Sequence, residues 1–327
     1  MTSAEGVALP AQVFDLRGRR VWVAGHTGMV GSAIVRRLAS EPIGHLVTAR
    51  SSEVDLTRQQ ETEQFVSRAM PDVCFLAAAR VGGIAANAAA QGQFLYDNLM
   101  IAANVIEACR HAGVAKVVVL GSSCIYPRNA PQPIPESAML TGQLEETNEG
   151  YAIAKIAALE LGKMYRRQYG MDVISLMPTN LYGPGDNYDL ETAHVLPALL
   201  RKILEAKRDG LPTVEVWGTG TPRREFLHAD DLADAVIHAT KYYSDELHLN
   251  VGTGKDISIR ELAELIADIV GWQGKFVFNP TRPDGTPRKW LDVSRLDALG
   301  WFPVIGLRDG LRRIIDEGAN RRERSGR

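Results

Sequence analysis

Residues 20–24, Arg-Val-Trp-Val-Ala, form a short apolar run that enters the glycine turn Gly25-His26-Thr27-Gly28-Met29-Val30-Gly31 and passes directly into the apolar-periodic stretch Ser-Ala-Ile-Val-Arg-Arg-Leu-Ala-Ser. Strand, glycine turn and helix in immediate succession leave few options for a fold. Glycines at such a turn let the backbone approach a pyrophosphate, which then rests on the helix N-terminus. A glycine turn alone marks no more than a tight strand-to-helix junction; the β-run before it and the helix after it make it a dinucleotide fingerprint. Its spacing is G-x-x-G-x-x-G rather than G-x-G-x-x-G.

The rhythm then repeats. HLVTA, VCFLAAA, KVVVLGSS and DVISLMPTN read as further strands, and a helix is expected from about Leu56. FLYDNLMIAANVIEACRHAG and YAIAKIAALELGKMYRRQYG read as long helices. Strands alternating with helices predict an α/β protein of the Rossmann type, a doubly wound parallel sheet covered on both faces, with a smaller C-terminal α/β substrate domain. The change of texture at YGPGDNYDLETAH places the division near residue 182: a Rossmann domain over 1–182 and a substrate domain over 183–327, some segments of which return to the first. The N-terminal twenty residues are expected to form a loose leader and the charged C-terminal RRERSGR to fray.

A formal net charge of −2 and a pI near 6.4 supply no basic field, which disfavours nucleic acid as a partner. The three cysteines, Cys74, Cys109 and Cys124, form no C-x-x-C pair, and free thiols in a reducing compartment are expected. Neither a signal core nor an apolar run long enough for a membrane span occurs, so a cytoplasmic location is the expectation, and no metal-ligand spacing stands out.

At the end of the second strand, where an NAD enzyme offers a carboxylate to the ribose, the chain has Thr48-Ala49-Arg50-Ser51-Ser52. Arg50 is placed to clamp a 2′-phosphate, favouring NADP(H); nearby Glu53 keeps NAD open, and a solvated surface arginine is the plain alternative. Tyr151 and Lys155 lie one helical turn apart on one face, where the ammonium can lower the phenol pKa and make Tyr151 a proton donor to a carbonyl under reduction. Tyrosines over lysine stems are common, so the pair gains weight from its company. The run KVVVLG ends in Gly121-Ser122-Ser123-Cys124, placing hydroxyls at a strand C-terminus, where open α/β sheets bind ligands.

With AGHTGMVGSAI, AAARVGGI, LGSSCIYP, YAIAKIA, MPTNLYGPGDN, WGTGTPRREFLH and PDGTPRKWLDV, the chain resembles the GDP-L-fucose synthase family of extended short-chain dehydrogenases/reductases from about Val21 to Leu311. That resemblance implies C3/C5 epimerisation of GDP-4-keto-6-deoxy-D-mannose followed by NADPH-dependent reduction at C4. It implies a reductase triad of Ser122, Tyr151 and Lys155 and an epimerisation acid/base pair of Cys124 and His194. Cofactor contacts are implied at Gly25 to Gly31, Gly121, Ser122, Tyr151, Lys155, His194 and the loop Pro178-Thr179-Asn180-Leu181. GDP-sugar contacts are implied at Lys202, Trp217, Arg224 and Asp284, and a homodimer through two long helices. One departure stands out: Thr27 replaces an arginine of well-known members, which leaves more of the 2′-phosphate recognition to Arg50. Enzymes that only epimerise or only reduce a related nucleotide-sugar, and a non-catalytic NADP-binding protein, are the rival readings.

Overall fold

The computed structural model describes residues 9–325 except residue 283. Its first half is the predicted alternation: β1 (Arg20–Ala24), α1 (Met29–Leu38), β2 (His45–Val47), α2 (Gln59–Ala69), β3 (Val73–Leu76), α3 (Ile84–Ala89), α4 (Gln91–His111), β4 (Lys116–Leu120), α5 (Glu149–Tyr169) and β5 (Val173–Pro178). Every residue of β3, β4 and β5 is buried, as expected of parallel strands covered on both faces. α2 begins at Gln59, later than Leu56, because Asp55 captures the Thr57 N–H and hydroxyl at 2.9 and 2.7 Å in a side-chain turn that competes with helix.

The second half runs β6 (Asn180–Tyr182), α6 (Val195–Asp209), β7 (Thr213–Trp217), β8 (Arg223–His228), α7 (Ala229–Tyr242), β9 (Leu249–Val251), β10 (Asp256–Ser258), α8 (Ile259–Val270), β11 (Lys275–Asn279), β12 (Arg288–Lys289), α9 (Ser294–Ala298) and α10 (Leu307–Ser325). The main sheet has six strands in the order β2-β1-β3-β4-β5-β9, all pairs parallel. The chain leaves β1 in one direction to β2 and in the other to β3. The crevice above the C-terminal ends of β1 and β3 is therefore the switch point where such sheets bind ligands.

A smaller sheet, β10-β8-β12 with β6 also on β8, and a parallel pair β11-β7 lie among α6, α8 and α10 around a separate core that includes Leu199, Leu200, Ile203, Leu262, Ile266 and Leu311. α7 returns to pack on α1, and β9 closes the main sheet. The leader is not loose throughout: the Val13 and Phe14 N–H groups donate to the Lys241 carbonyl at 2.7 and 3.2 Å, and Leu16 joins the main core. Its residues 1–8 lie outside the described residues. Most of the expected frayed tail is likewise helical, since α10 reaches Ser325; residues 326 and 327 lie outside the described residues. No described helix is long and apolar enough to cross a membrane.

Candidate active site

Gly25 leaves β1 at φ +84°, and a Cβ there would come 2.6 Å from the Ala78 nitrogen. A Cβ on Gly31 would overlap the Gly25 carbonyl, so that glycine lets α1 cross the end of β1. Gly28 differs from both: among the described residues a Cβ there would meet just the Gly25 oxygen, at an ordinary 3.5 Å, and the position is exposed beside Thr27. Gly28 is the N-cap of α1 without a side-chain cap, which leaves the first backbone N–H groups of the helix, at Met29 and Val30, available to an anion. The His26 Nδ1 is buried with no partner. An uncapped helix start, an open glycine and an orphaned ring nitrogen fit the pyrophosphate of a dinucleotide.

Beyond β2, the Glu53 carboxylate accepts the Arg50 backbone N–H at 2.6 Å. Glu53 is thereby engaged, while the exposed Arg50 side chain makes no ion pair among the described residues, an arrangement suited to a 2′-phosphate. Gly121 fits the Met177 side chain, which a Cβ would overlap. In the loop after β5, the Thr179 hydroxyl and Asn180 amide both donate to the Glu225 carbonyl, at 3.2 and 2.9 Å, and Leu181 pairs with Leu227. These side-chain bonds and the strand pairing fix the stretch in place.

Ser122, Cys124, Tyr151 and Lys155 meet above β4. The Ser122 Oγ accepts the Cys124 N–H at 3.4 Å, opening a 3-10 turn over Ser123–Ile125, and its hydroxyl stands near enough to the Tyr151 phenol to ease its ionisation slightly. Lys155 Nζ lies 5.7 Å from the Tyr151 ring centre but donates to the Leu120 carbonyl at 2.8 Å. Burial pushes its ammonium down to about 8. The expected lowering of the phenol by Lys155 is not what the chain alone produces. Burial, reinforced by Cys124, pushes Tyr151 up, so the hydroxyl keeps its proton. Burial likewise raises the Cys124 thiol, against the pull of the Lys289 and Lys155 ammonium groups.

His194 is the N-cap of α6 but spends no side-chain bond on capping. The residue is exposed, yet the protein packed around its ring lowers its basicity. On the same side, the Trp217 ring, 40% exposed, carries the Lys202 ammonium at 5.3 Å and the Arg282 guanidinium at 4.7 Å. Lys202 also donates to the Glu215 carbonyl at 3.1 Å. Arg223 and Arg224 part ways. Arg223 pairs with Asp256 at 3.1 Å and Glu261 at 3.2 Å, rather than with the sequence-adjacent Glu225 or Asp230. Arg224 has no carboxylate within ion-pair distance among the described residues and donates to the Arg223 and Asp284 carbonyls at 2.8 and 3.5 Å; burial draws it down to about 10. An unpaired, desolvated guanidinium is suited to a diphosphate. The Asp284 carboxylate is engaged by the Thr219 N–H and hydroxyl at 2.7 and 2.9 Å, which gives it a buttressing task under the Trp217 turn.

Sequence reasoning missed Lys289 and Arg282. Lys289 stands in register with Arg224 on the neighbouring strand, and its charge acts on Cys124, Arg224 and Glu145. Lys289 lies inside PDGTPRKWLDV and Arg282 just before it, but the strand pairing that delivers Lys289 is non-local and gives no local signal.

Fold and site together define a short-chain dehydrogenase/reductase of the extended kind. The chain belongs to the NAD dependent epimerase/dehydratase family, whose model matches residues 21–252. It is 52% identical over 313 residues to GDP-L-fucose synthase 1 of Arabidopsis thaliana, covering 96% of this chain and 97% of that one. Among solved structures, it resembles a gdp-l-fucose synthetase from Naegleria fowleri bound to NADP, with a TM-score of 0.87 at 26% identity and coverage of 96% and 98%. It also resembles MlghC, a GDP-mannoheptose C4 reductase from Campylobacter jejuni with NADP bound, with a TM-score of 0.84 at 37% identity and coverage of 93% and 98%.

Proposed function

We propose that this chain converts GDP-4-keto-6-deoxy-D-mannose to GDP-L-fucose, inverting C3 and C5 and reducing C4 with NADPH. The observation that carries the reading is the meeting of Ser122, Tyr151 and Lys155 with Cys124 above β4, next to Lys289, which stands in register with the unpaired Arg224. The α1 start with its glycine turn would hold the pyrophosphate, Arg50 the 2′-phosphate, and Lys155 with the backbone of Pro178 to Leu181 the nicotinamide end. The bound cofactor supplies hydride to C4.

The remaining chemistry belongs to the chain. The 4-keto group acidifies C3–H and C5–H. Cys124 takes a proton as thiolate, with Lys289 and Lys155 offsetting the cost of a buried anion, and His194 returns one. Ser122 donates to the C4 oxygen and Tyr151 gives it its proton once the carbonyl becomes an alkoxide. Arg224 and Lys202 grip the diphosphate and Trp217 lines the nucleoside end. The same reading takes 1–182 as the cofactor domain and 183–327 as the sugar domain, with α7 and β9 returning to the first. It also takes the protein as a cytoplasmic homodimer through the packed pair α4 and α5, which carry exposed Tyr96, Leu99, Ile153 and Met164; light scattering that found only a 35.8 kDa species would contradict the dimer.

Reduction without epimerisation is a second reading, favoured by the likeness to a C4 reductase. The test of the reductase half is Tyr151→Phe. NADPH oxidation driven by the keto-sugar should fall by at least about 100-fold, while NADPH affinity, and its preference over NADH, stay unchanged. Near wild-type turnover in this variant would overturn the assignment.

A further inference from the structure

The segment Arg80–Gly83, between β3 and α3, is held at both ends by buried asparagines. Asn98 of α4 accepts the Arg80 N–H at 2.9 Å and donates to the Arg80 carbonyl at 3.0 Å. Asn87 of α3 donates to the Gly82 and Gly83 carbonyls at 2.6 and 3.1 Å. Neither asparagine is more than 5% exposed. So fixed, the segment lies against the residues just before His194: the Gly83 N–H donates to the Thr192 carbonyl at 2.8 Å. A Cβ on Gly83 would overlap the carbonyl oxygen of Ala193, whose peptide links to His194, and would stand 3.1 Å from its carbon and 3.2 Å from the Thr192 oxygen.

The backbone at Gly83, φ −67° and ψ −178°, is one that alanine adopts freely. Its glycine is therefore required by the close approach and by nothing in its own conformation. On the other side of the segment, a Cβ on Gly82 would meet Phe94 at 3.2 Å, and Phe94 stands edge-on to Tyr151 with ring centres 6.4 Å apart. One rigid segment thus touches both the His194 peptide and the aromatic neighbour of Tyr151.

We infer that Gly83 is a positioning residue for His194: the asparagine-clamped segment is the stop against which the His194 peptide is set, and the missing side chain at position 83 fixes how close His194 stands to the sugar. This rests on the proposed role of His194 as proton donor in epimerisation. Misplacing a reacting group by about 1 Å costs on the order of 100-fold in rate.

The test uses the full-length enzyme holding NADP in D2O and follows deuterium entry at C3 and C5 of GDP-4-keto-6-deoxy-D-mannose by NMR, in a double-mutant cycle with Gly83→Ala and His194→Gln. Gly83→Ala should slow the same exchange or inversion step that His194→Gln slows to a residual but measurable rate, by about 100-fold, with NADPH affinity within about twofold of wild type. Added to His194→Gln, it should lower that residual rate no further. Wild-type behaviour of Gly83→Ala beside a strongly impaired His194→Gln would overturn the positioning role alone, as would losses that multiply, since they would place Gly83 outside the action of His194. Wild-type behaviour of His194→Gln itself would remove the reading on which the inference stands. If Gly83→Ala does not fold, Asn87→Ala, which frees the segment from one clamp, goes through the same cycle and is judged by the same outcomes.

Discussion

At the scale of single residues, burial decides what each titrating group can do. Tyr151 keeps its proton because desolvation outweighs any help from Lys155, whose ammonium is turned to the Leu120 carbonyl. A donor that holds its proton until an alkoxide forms is what carbonyl reduction needs. His248 shows the same force outside the site. It is 4% exposed, hydrogen-bonded to the Tyr126 hydroxyl at 2.9 Å, and pushed down to about 4 by burial and by the charges of Arg295 and Lys163. Its folded value lies below its unfolded value, so its contribution to stability is whole above pH 6.5 and is lost as the pH falls toward 4. Between pH 7.5 and 5 this loss is about 2 kcal/mol. His248→Gln, which retains a partner for Tyr126, should show a correspondingly smaller drop in urea midpoint over that interval. An equal drop would mean that the acid sensitivity comes from other groups.

At the scale of elements, Glu225 of β8 joins segments that are distant in sequence. Fully buried, it accepts the Thr253 N–H, the Gly254 N–H at 2.7 Å and the Leu291 N–H at 3.0 Å, while its carbonyl receives Thr179 and Asn180. It thus ties the strand carrying Arg224 to the junction of β5 and β6, to the turn after β9 and to the stretch after Lys289. Glu225→Gln would turn an amide donor toward an N–H group and should cost about 3 kcal/mol, read as a lowered urea midpoint. An unchanged midpoint would remove Glu225 from this role. Such a tie is illegible in the sequence, where Glu225 reads as a neighbour for two arginines. The same holds for Asp284, spoken for by Thr219 across 65 residues, for Lys289, delivered by strand pairing, and for Gly83, whose need for no side chain comes from a loop around residue 193. What was legible rests on local spacing: a glycine turn between strand and helix, a tyrosine and a lysine one turn apart, serine and cysteine at a strand end. Boundaries slipped where a local side chain overruled periodicity, as Asp55 does before α2, and where distant packing recruited a segment read as loose, as Leu16 does in the leader.

At the scale of the whole molecule, one parallel sheet places the glycine turn, the Ser122 turn and the loop after β5 along its C-terminal edge, while the second core presents His194, Lys202, Trp217 and Arg224 from elements inserted between β5 and β9. Returning α7 and β9 to the main sheet fastens the second core to the first at two points. Epimerisation and reduction are both expected at the Ser122, Cys124, Tyr151 and His194 groups of one enzyme. Incubating it with GDP-4-keto-6-deoxy-D-mannose and unlabelled NADPH in D2O, and identifying the nucleotide-sugar by NMR, reads both at once. The product should be GDP-L-fucose carrying deuterium at C3 and C5 and protium at C4. A 6-deoxyhexose reduced at C4 with C3 and C5 uninverted and still protonated would rule out epimerisation and leave a reductase alone.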